Sequence, residues 1–271
     1  MCMTPGVTLP DRSAQVIRES SEVKNASRTS GLVKSALILA FSVNAGAAIA
    51  ADQRVIELFT SQGCSSCPPA DALAAKWAGN PRAIVLSFPI DYWDYIGWKD
   101  TLASPAFTAR QKAYAKARGD GHVYTPQAVI NGAAHAVGSD QAQVDQAVAS
   151  TSGRNGALSV PLAMSETATG LHVEVGAVAA GAAAVSGTVF LVNVPSRSPV
   201  AIGRGENAGP TVTYVNVVRD MTALGTYAGA AAQFDVPASE LRRNGSDGYV
   251  VMVQAGTASK PGVVLAAAKS K

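Results

Sequence analysis

The sequence predicts an α/β domain over residues 51–150, followed by an all-β, sandwich-like domain over residues 157–271. Three observations support this division. The first part alternates continuous apolar runs with segments of helical spacing. After a polar linker, Ser150 to Gly156, helical patterning fades, and short β-rich runs alternate with turn-forming residues. A Cys-x-x-Cys pair, Cys64 and Cys67, falls between the first apolar run and the first predicted helix.

Composition excludes several protein classes. Of the 271 residues, 48% are hydrophobic and 15% are charged, which excludes a disordered chain and a coiled coil. Lysine and arginine number 22 against 19 acidic residues, and a net charge of +3 argues against a nucleic-acid partner. Three cysteines are too few for a disulfide-dense scaffold or for paired zinc knuckles. The composition does not indicate an oligomeric state.

Residues 1–50 have the parts of a signal peptide with an extended N-terminal region. A polar stretch containing basic residues precedes the apolar run Leu32 to Val43, and Ala48-Ile49-Ala50 is a small-x-small cleavage signature. The run is short and interrupted by Lys34, so we expect no stable membrane span after processing; a single marginal anchoring helix is the alternative. The prediction is a periplasmic or secreted protein that begins near Ala51, in a compartment where a disulfide persists.

The first domain has the predicted order β-α-β-α-β-β-α. Its two long apolar runs are typical of parallel strands buried on both faces. Ser104-Pro105 is typical of a helix start, and Asn131-Gly132 of a hairpin turn. Ser139 is the expected cap of the last helix. The predicted elements are strand Arg54–Thr60, helix Pro68–Ala78, strand Ala83–Phe88, helix Ser104–Arg118, strands Gln127–Asn131 and Ala133–Val137, and helix Ser139–Ala149.

The second domain is predicted to contain short strands separated by turns, a spacing typical of a β-sandwich. The β-rich runs that support this prediction are Leu171–Val175, Gly187–Val194, Thr211–Val218, Phe234–Val236 and Tyr249–Gln254.

The position of the cysteine pair favours redox chemistry. A cysteine beside a helix N-terminus experiences the positive end of the helix dipole and free backbone N–H groups, both of which stabilise a thiolate. A partner three residues away is close enough to form a disulfide. Cys64 is therefore the candidate nucleophile, and Cys67 the thiol that resolves the mixed disulfide.

Two further segments complete a resemblance. Tyr124-Thr125-Pro126-Gln127 precedes the predicted hairpin, as the cis-proline segment does in thioredoxin-like folds, and this implies a cis bond at Pro126 facing the cysteines. Residues 57–71, the Asp91–Trp98 segment and the Arg204–Asn207 segment resemble an exported, largely uncharacterised family of proteobacterial thioredoxin-like proteins. The resemblance covers nearly all of the chain after residue 50. It implies a thioredoxin-like first domain, with Thr125 and Pro126 beside Cys64 and Cys67.

Departures from ordinary thioredoxins limit what the resemblance implies. Gly63 stands where a tryptophan usually precedes the first cysteine, and Ser65-Ser66 replaces Gly-Pro. Serine hydroxyls could hydrogen-bond a thiolate and make the pair more oxidising. Thioredoxins also bury a carboxylate behind the pair, and Glu57 is the nearest candidate in sequence.

The loop after the second strand is a candidate binding surface. Asp91, Tyr92, Trp93 and Asp94 follow that strand directly, and ligands of open α/β sheets bind beyond the strands' carboxyl ends. A packed loop whose carboxylates cap the next helix fits the same residues equally well. His122 could contact the same region. The Arg204–Asn207 segment could pair across the domain interface or form a plain surface turn.

The prediction is an exported protein that exchanges disulfides with protein or small-molecule thiols and disulfides, without a cofactor or metal. The alternatives for the cysteines are a static disulfide in a non-enzymatic binding protein, or half of a metal site. The histidines, His122, His135 and His172, have no convincing ligand spacing. A copper-binding variant would draw on Met164, Met221 and Met252.

Overall fold

The computed structural model describes residues 53–209 and 211–270, which form a mixed α/β protein with several β-sheets and few helices. The predicted signal peptide and its cleavage point at Ala51 lie outside the described residues. No helix among the described residues is long and apolar enough to span a bilayer. The helices are α1 (Pro68–Ala78), α2 (Pro105–Arg118) and α3 (Gln141–Thr151).

The first sheet has four strands in the order β2-β1-β3-β4. Strand β1 and its neighbour at the edge of this sheet, β2, are parallel and buried almost throughout, as their continuous apolar runs predict. The other two strands form an antiparallel hairpin beside β1. The bounds are β1 (Arg54–Thr60), β2 (Ala83–Pro89), β3 (Gln127–Ile130) and β4 (Ala134–Val137).

The second half of the chain is almost entirely β-structure. It contains a four-stranded sheet β10-β7-β12-β13, a three-stranded sheet β11-β6-β5 and a two-stranded sheet β8-β9. An apolar cluster contains buried residues from both larger sheets. The bounds are β5 (Leu162–Thr167), β6 (Gly170–Val175), β7 (Gly187–Val194), β8 (Ser198–Ala201), β9 (Thr211–Tyr214), β10 (Asp220–Tyr227), β11 (Ala232–Pro237), β12 (Gly248–Thr257) and β13 (Lys260–Lys269).

Helix starts follow local capping chemistry. The Ser104 side chain accepts a hydrogen bond from the Ala106 N–H, which confirms the predicted start of α2. The predicted cap of α3 is wrong by one residue, because the Asp140 carboxylate, not Ser139, accepts the Gln143 N–H. A carboxylate is the stronger acceptor for a first-turn N–H, because its charge also interacts favourably with the helix dipole.

One apolar cluster joins the two halves. Buried residues of β1 and β2 share it with residues of β7, β12 and β13. The segment that follows β9 also runs beside β2: the Ser87 N–H donates to Asn216 O at 3.0 Å, and the Val218 N–H donates to Ser87 O at 3.0 Å. The outer edge of β2 is therefore covered by chain from the second half, which removes an exposed strand edge.

A buried ion pair spans the same interface. Arg110 of α2 donates to both carboxylate oxygens of Glu57 on β1, at 2.7 and 2.8 Å, and to Gln254 of β12 at 2.9 Å. Tyr114 donates to Glu57 at 2.6 Å. Burial opposes the guanidinium charge, but the adjacent Glu57 carboxylate holds the pKa of Arg110 above its ordinary value. Removing one partner would leave an uncompensated buried charge.

The β3–β4 turn meets the second half at close range. Asn131 (φ 51°) and Gly132 (φ 68°) both have positive φ, as the Asn-Gly prediction requires, and Ile130 pairs with Ala134 across the turn. The Val264 N–H donates to Asn131 O at 2.9 Å. A Cβ on Gly132 would lie 2.2 Å from Gly262 O, so this contact requires glycine.

Gly132→Ala is expected to lower the free energy of unfolding by more than Gly153→Ala does. Gly153 has nearly the same φ (67°) but has open space around its Cα, so its substitution costs about 1–2 kcal/mol for the left-handed conformation alone. At Gly132 the backbone clash adds about 1–3 kcal/mol. Urea unfolding of both variants measures the difference, and equal costs would show that the turn can move away from β13.

Candidate functional site

Cys64 and Cys67 form a disulfide between β1 and α1, with Cα atoms 5.4 Å apart. Cys67 is the residue that caps α1, and helical conformation begins at Pro68. Pro68 and Pro69 carry no N–H, and the N–H groups of the next two residues donate to Cys67 O. The expected free backbone donors of this helix N-terminus are therefore absent or already occupied.

Hydroxyl groups contact the Cys64 sulfur instead. Thr125 Oγ1 donates to Cys64 Sγ at 3.3 Å, and Ser66 Oγ lies 3.4 Å from the same sulfur. The Trp93 indole N–H donates to Thr125 Oγ1 at 2.8 Å, which leaves the hydroxyl hydrogen available for the sulfur. The Thr125–Pro126 peptide bond is cis, as the sequence predicts. The structure thus brings together four of the predicted site residues with Trp93 of the loop.

Both cysteines are largely covered. The exposed fraction is 4% for Cys64 and 0% for Cys67, so the order agrees with the expectation, but Cys64 is far less accessible than expected. Part of the cover is the 91–98 loop: a Cβ on Gly63 would meet Trp93 O at 3.3 Å and the Trp93 Cβ at 3.4 Å. Glycine at position 63 therefore leaves room for the backbone oxygen and the Cβ of Trp93.

The two loop carboxylates have structural partners. Asp91 accepts a hydrogen bond from the Thr108 hydroxyl of α2, and Asp94 accepts the Asp100 N–H at 3.0 Å. The loop aromatics differ in exposure. The Tyr92 and Trp93 rings pack against the apolar cluster that joins the halves, whereas Tyr95 is 80% exposed and stacks on Trp93.

The Arg204–Asn207 segment reaches the disulfide loop from the second half. The Asn207 side-chain amide donates to Gln62 O at 2.9 Å and to Cys64 O at 2.8 Å. A Cβ on Gly205 would lie 3.2 Å from the Trp98 Cβ, so this segment also packs on the 91–98 loop. Of the two alternatives left open by the sequence, the Asn207 hydrogen bonds correspond to pairing between the two halves rather than to a plain surface turn.

A buried carboxyl lies one turn into α1. Asp71 is 7% exposed, and the Thr60 hydroxyl donates to it at 2.8 Å. Burial raises the pKa of Asp71 to about 8, with a smaller rise from the nearby Asp100 carboxylate, while the Thr60 hydrogen bond acts in the opposite direction. Burial also raises the pKa of Asp100 above its ordinary value. No lysine, arginine or histidine is among the causes of either shift.

Glu57, the carboxylate favoured from sequence, is instead the partner of Arg110 in the buried ion pair. Its oxygens are taken up by Arg110 and Tyr114. The sequence signal that could have identified Asp71 is an acidic residue in the first turn of an otherwise apolar helix face, beside Ala70 and Ala74.

The structure also brings together residues that the sequence analysis kept apart. Asp120, His122 and His135 each place one metal-binding atom within 4.8 Å of the others. His122 is therefore beside His135 rather than at the disulfide, and sequence spacing could not reveal this, because His135 comes from β4. The methionines, Met164, Met221 and Met252, pack in or against the apolar clusters.

Asp71→Asn is expected to reduce the pH dependence of stability. Folding raises the pKa of Asp71 from 3.8 to about 8, so the contribution of Asp71 to the free energy of unfolding is most favourable below pH 4 and falls as pH rises towards 8. The asparagine still accepts the Thr60 hydrogen bond but does not ionise. Between pH 4 and pH 7 the wild type should lose on the order of 4 kcal/mol relative to the variant.

Urea unfolding at several pH values measures this difference, and Asp145→Asn, at an exposed position of α3, is the matched control. Parallel pH profiles of the wild type and Asp71→Asn would contradict the burial of an uncharged carboxyl.

Comparisons with known proteins identify a family without a described activity. A family model described as a protein of unknown function, DUF1223, matches residues 55–254. The crystal structure of protein AGR_C_4864 from Agrobacterium tumefaciens is similar at 31% identity, with a TM-score of 0.70, over 80% of this chain and 92% of that one. HBP35 of Porphyromonas gingivalis shares 13% identity over 81% of this chain and 74% of that one, with a TM-score of 0.51, a likeness of fold alone. No curated protein matches the chain. The chain belongs to the DUF1223 family of proteins of unknown function.

Proposed function

We propose that this protein is an exported thiol–disulfide exchange protein that acts through Cys64 and Cys67. The observation that carries the proposal is the Thr125 hydroxyl, which donates to the Cys64 sulfur at 3.3 Å. The Ser66 hydroxyl lies 3.4 Å from the same sulfur and also reaches Thr125 O at 3.5 Å. A static disulfide needs no hydrogen-bond donors at one sulfur, whereas a thiolate is stabilised by them. The donors therefore favour a site that passes through the reduced state.

The proposal includes a thioredoxin-like first half and a sandwich-like second half. Support for the first half is a parallel strand pair next to an antiparallel hairpin, with the disulfide at a strand-to-helix turn and a cis-proline beside it. Support for the second is the apolar cluster shared by its two larger sheets. The small-x-small signature before Ala51 supports an exported protein that is periplasmic or secreted, and a disulfide forms and persists in such compartments.

In the proposed reaction the Cys64 thiolate attacks one sulfur of a partner disulfide. A mixed disulfide forms, and the partner's other sulfur leaves as a thiolate. The Cys67 thiolate then attacks Cys64 Sγ, closes the internal disulfide and releases the partner's second thiolate. The partner is reduced by two electrons and the protein is oxidised; the reverse sequence oxidises a dithiol partner.

The 91–98 loop is proposed to form the docking surface for the partner. Tyr95 is 80% exposed and stacks on Trp93, whose indole N–H is bonded to Thr125. Only the Trp93 ring and the Thr125 hydroxyl therefore lie between a partner that contacts Tyr95 and the Cys64 sulfur. The Asp91 and Asp94 carboxylates already accept hydrogen bonds from within the protein, so their proposed role is to hold the shape of the loop rather than to bind the partner.

The low exposure of both cysteines favours a second candidate function. A non-enzymatic binding protein could use the same aromatic loop while the disulfide only braces it. The reduction potential separates the two functions. A potential between about −120 and −270 mV is the range of dithiol exchange proteins, whereas a structural disulfide is reduced only below about −300 mV.

Cys67→Ser is expected to accumulate mixed disulfides, because attack by Cys64 is preserved while release fails. Cys64→Ser should accumulate few, because Cys67 is fully buried and no hydroxyl donates to its sulfur. Non-reducing gels after incubation with a glutathione disulfide probe compare the two variants. Equal trapping, or reaction of Cys67 alone, would reverse the roles; no reaction of either folded variant would favour the binding protein.

Thr125→Val should raise the pKa of the Cys64 thiol in the reduced protein by about one unit, because valine has nearly the same shape but donates no hydrogen bond to the thiolate. The pH dependence of alkylation by iodoacetamide gives this pKa. Thr226→Val, an exposed position on β10, is the matched control and should leave it unchanged. An unchanged pKa in Thr125→Val would remove the main support for the proposed reaction.

A further inference from the structure

Three side chains beyond the C-terminus of α2 form a candidate metal centre. Asp120 and His122 lie in the loop that follows the helix, and His135 lies on β4. One oxygen or nitrogen from each lies within 4.8 Å of the other two. We propose that Asp120, His122 and His135 bind one divalent transition-metal ion of the class that prefers imidazole nitrogen, with Zn²⁺ as the representative ion.

The His135 ring is held in an orientation that presents one nitrogen to the cluster. The Tyr124 hydroxyl is bonded to Nδ1 at 2.8 Å, and Nε2 lies 3.3 Å from Asp120 Oδ2. A second partner on the other ring nitrogen is the usual arrangement of a metal-binding histidine, because it fixes the tautomer and the ring plane. Nε2 of His135 is thus free to bind a metal once the ion replaces its contact with Asp120.

The Asp120 carboxylate is positioned from two sides. The His122 backbone N–H donates to Oδ1 at 2.9 Å. Arg118 donates to both oxygens, from Nε to Oδ2 at 2.8 Å and from Nη2 to Oδ1 at 3.2 Å. Gly119 ends α2 in the left-handed conformation, which turns the chain so that Asp120 and His122 follow directly beside β4. The His122 and His135 ring centroids are 5.7 Å apart. The loop therefore places Asp120 and His122 next to His135 of β4, so that the three candidate ligands are already grouped.

Ligand chemistry selects the class of ion. Two imidazoles and one carboxylate are a typical three-residue set for Zn²⁺, which leaves a fourth position for water or another ligand. Ca²⁺ and Mg²⁺ prefer oxygen ligands and do not fit two imidazoles. Arg118 shares Oδ2 with the ion, because a carboxylate oxygen has two lone pairs, but its positive charge opposes the cation. We therefore expect binding in the micromolar range rather than the tighter binding of a structural zinc site.

The test is isothermal titration of the oxidised full-length protein with Zn²⁺ alone. The expected result is one ion per chain at this site, with an affinity at least tenfold weaker in His122→Ala and in His135→Ala. His172→Ala is the matched control, because that histidine is paired with Asp235 on the second half and should leave binding unchanged. Tyr124→Phe should weaken binding about tenfold through loss of the hydrogen bond that orients His135.

Two further measurements serve as controls for the zinc titration. The double variant Cys64→Ser/Cys67→Ser should bind Zn²⁺ as the wild type does, which excludes these two thiols as ligands. Far-UV circular dichroism should show that both histidine variants are folded, as their partly exposed positions imply. No heat at millimolar Zn²⁺, or wild-type affinity in His135→Ala, would overturn the proposal; so would loss of binding in His172→Ala.

Discussion

The Glu57–Arg110 ion pair is the interaction on which the arrangement of the two halves depends. It lies on the buried face of β1, and the same guanidinium reaches Gln254 of β12. Gln254 also donates to Tyr114 at 2.6 Å and to Gly262 O at 2.9 Å, so no partner in this network can be withdrawn without leaving a buried polar group unpaired. Hydrophobic contacts alone would tolerate sliding of one half over the other; a buried charge with fixed hydrogen-bond partners does not.

That fixed arrangement explains how the second half can belong to the disulfide site. Asn207 lies in a loop after β8, yet its side-chain amide bonds the carbonyls of Gln62 and Cys64. Such bonds require the two halves to be placed to within a few tenths of an ångström. The second half therefore forms part of the site. A first half expressed alone would lack the Asn207 hydrogen bonds that hold the loop carrying Cys64.

Sequence reasoning was most accurate where local chemistry decides the structure. The bounds of β1, α1 and β7 agree with the observed elements, because β-branched runs and proline at a helix start depend on neighbours in the chain. The β-rich runs taken as examples did not include β5, β8, β10 and β13. The last of these is rich in alanine, and it is a strand because β12 and the buried clusters of both halves hold it, not because of local propensity.

The site shows the same limit. The sequence predicted Cys64, Cys67, Thr125 and Pro126 as neighbours, because each lies in a recognisable segment. Glu57 was named as the nearest carboxylate in sequence and Asp71 was not considered, because the number of residues between a strand carboxylate and the cysteines does not reveal which face the carboxylate occupies. The grouping of His135 with Asp120 and His122 depends on β4 pairing with β3, so it is a property of the sheet and not of the spacing.

At Cys64 a side-chain hydroxyl takes the place of the backbone N–H donors that a helix N-terminus usually provides. Two prolines after Cys67 remove N–H groups that a helix N-terminus would offer to a thiolate. The Thr125 hydroxyl takes over that role, and the Trp93 indole N–H occupies one of its acceptor sites so that its hydrogen faces the sulfur. In the proposed exchange reaction, a movement of the 91–98 loop that admits a partner would also change this hydrogen bond, because Trp93 belongs to that loop. Access to the disulfide and the stability of the Cys64 thiolate would thereby be coupled through one side chain.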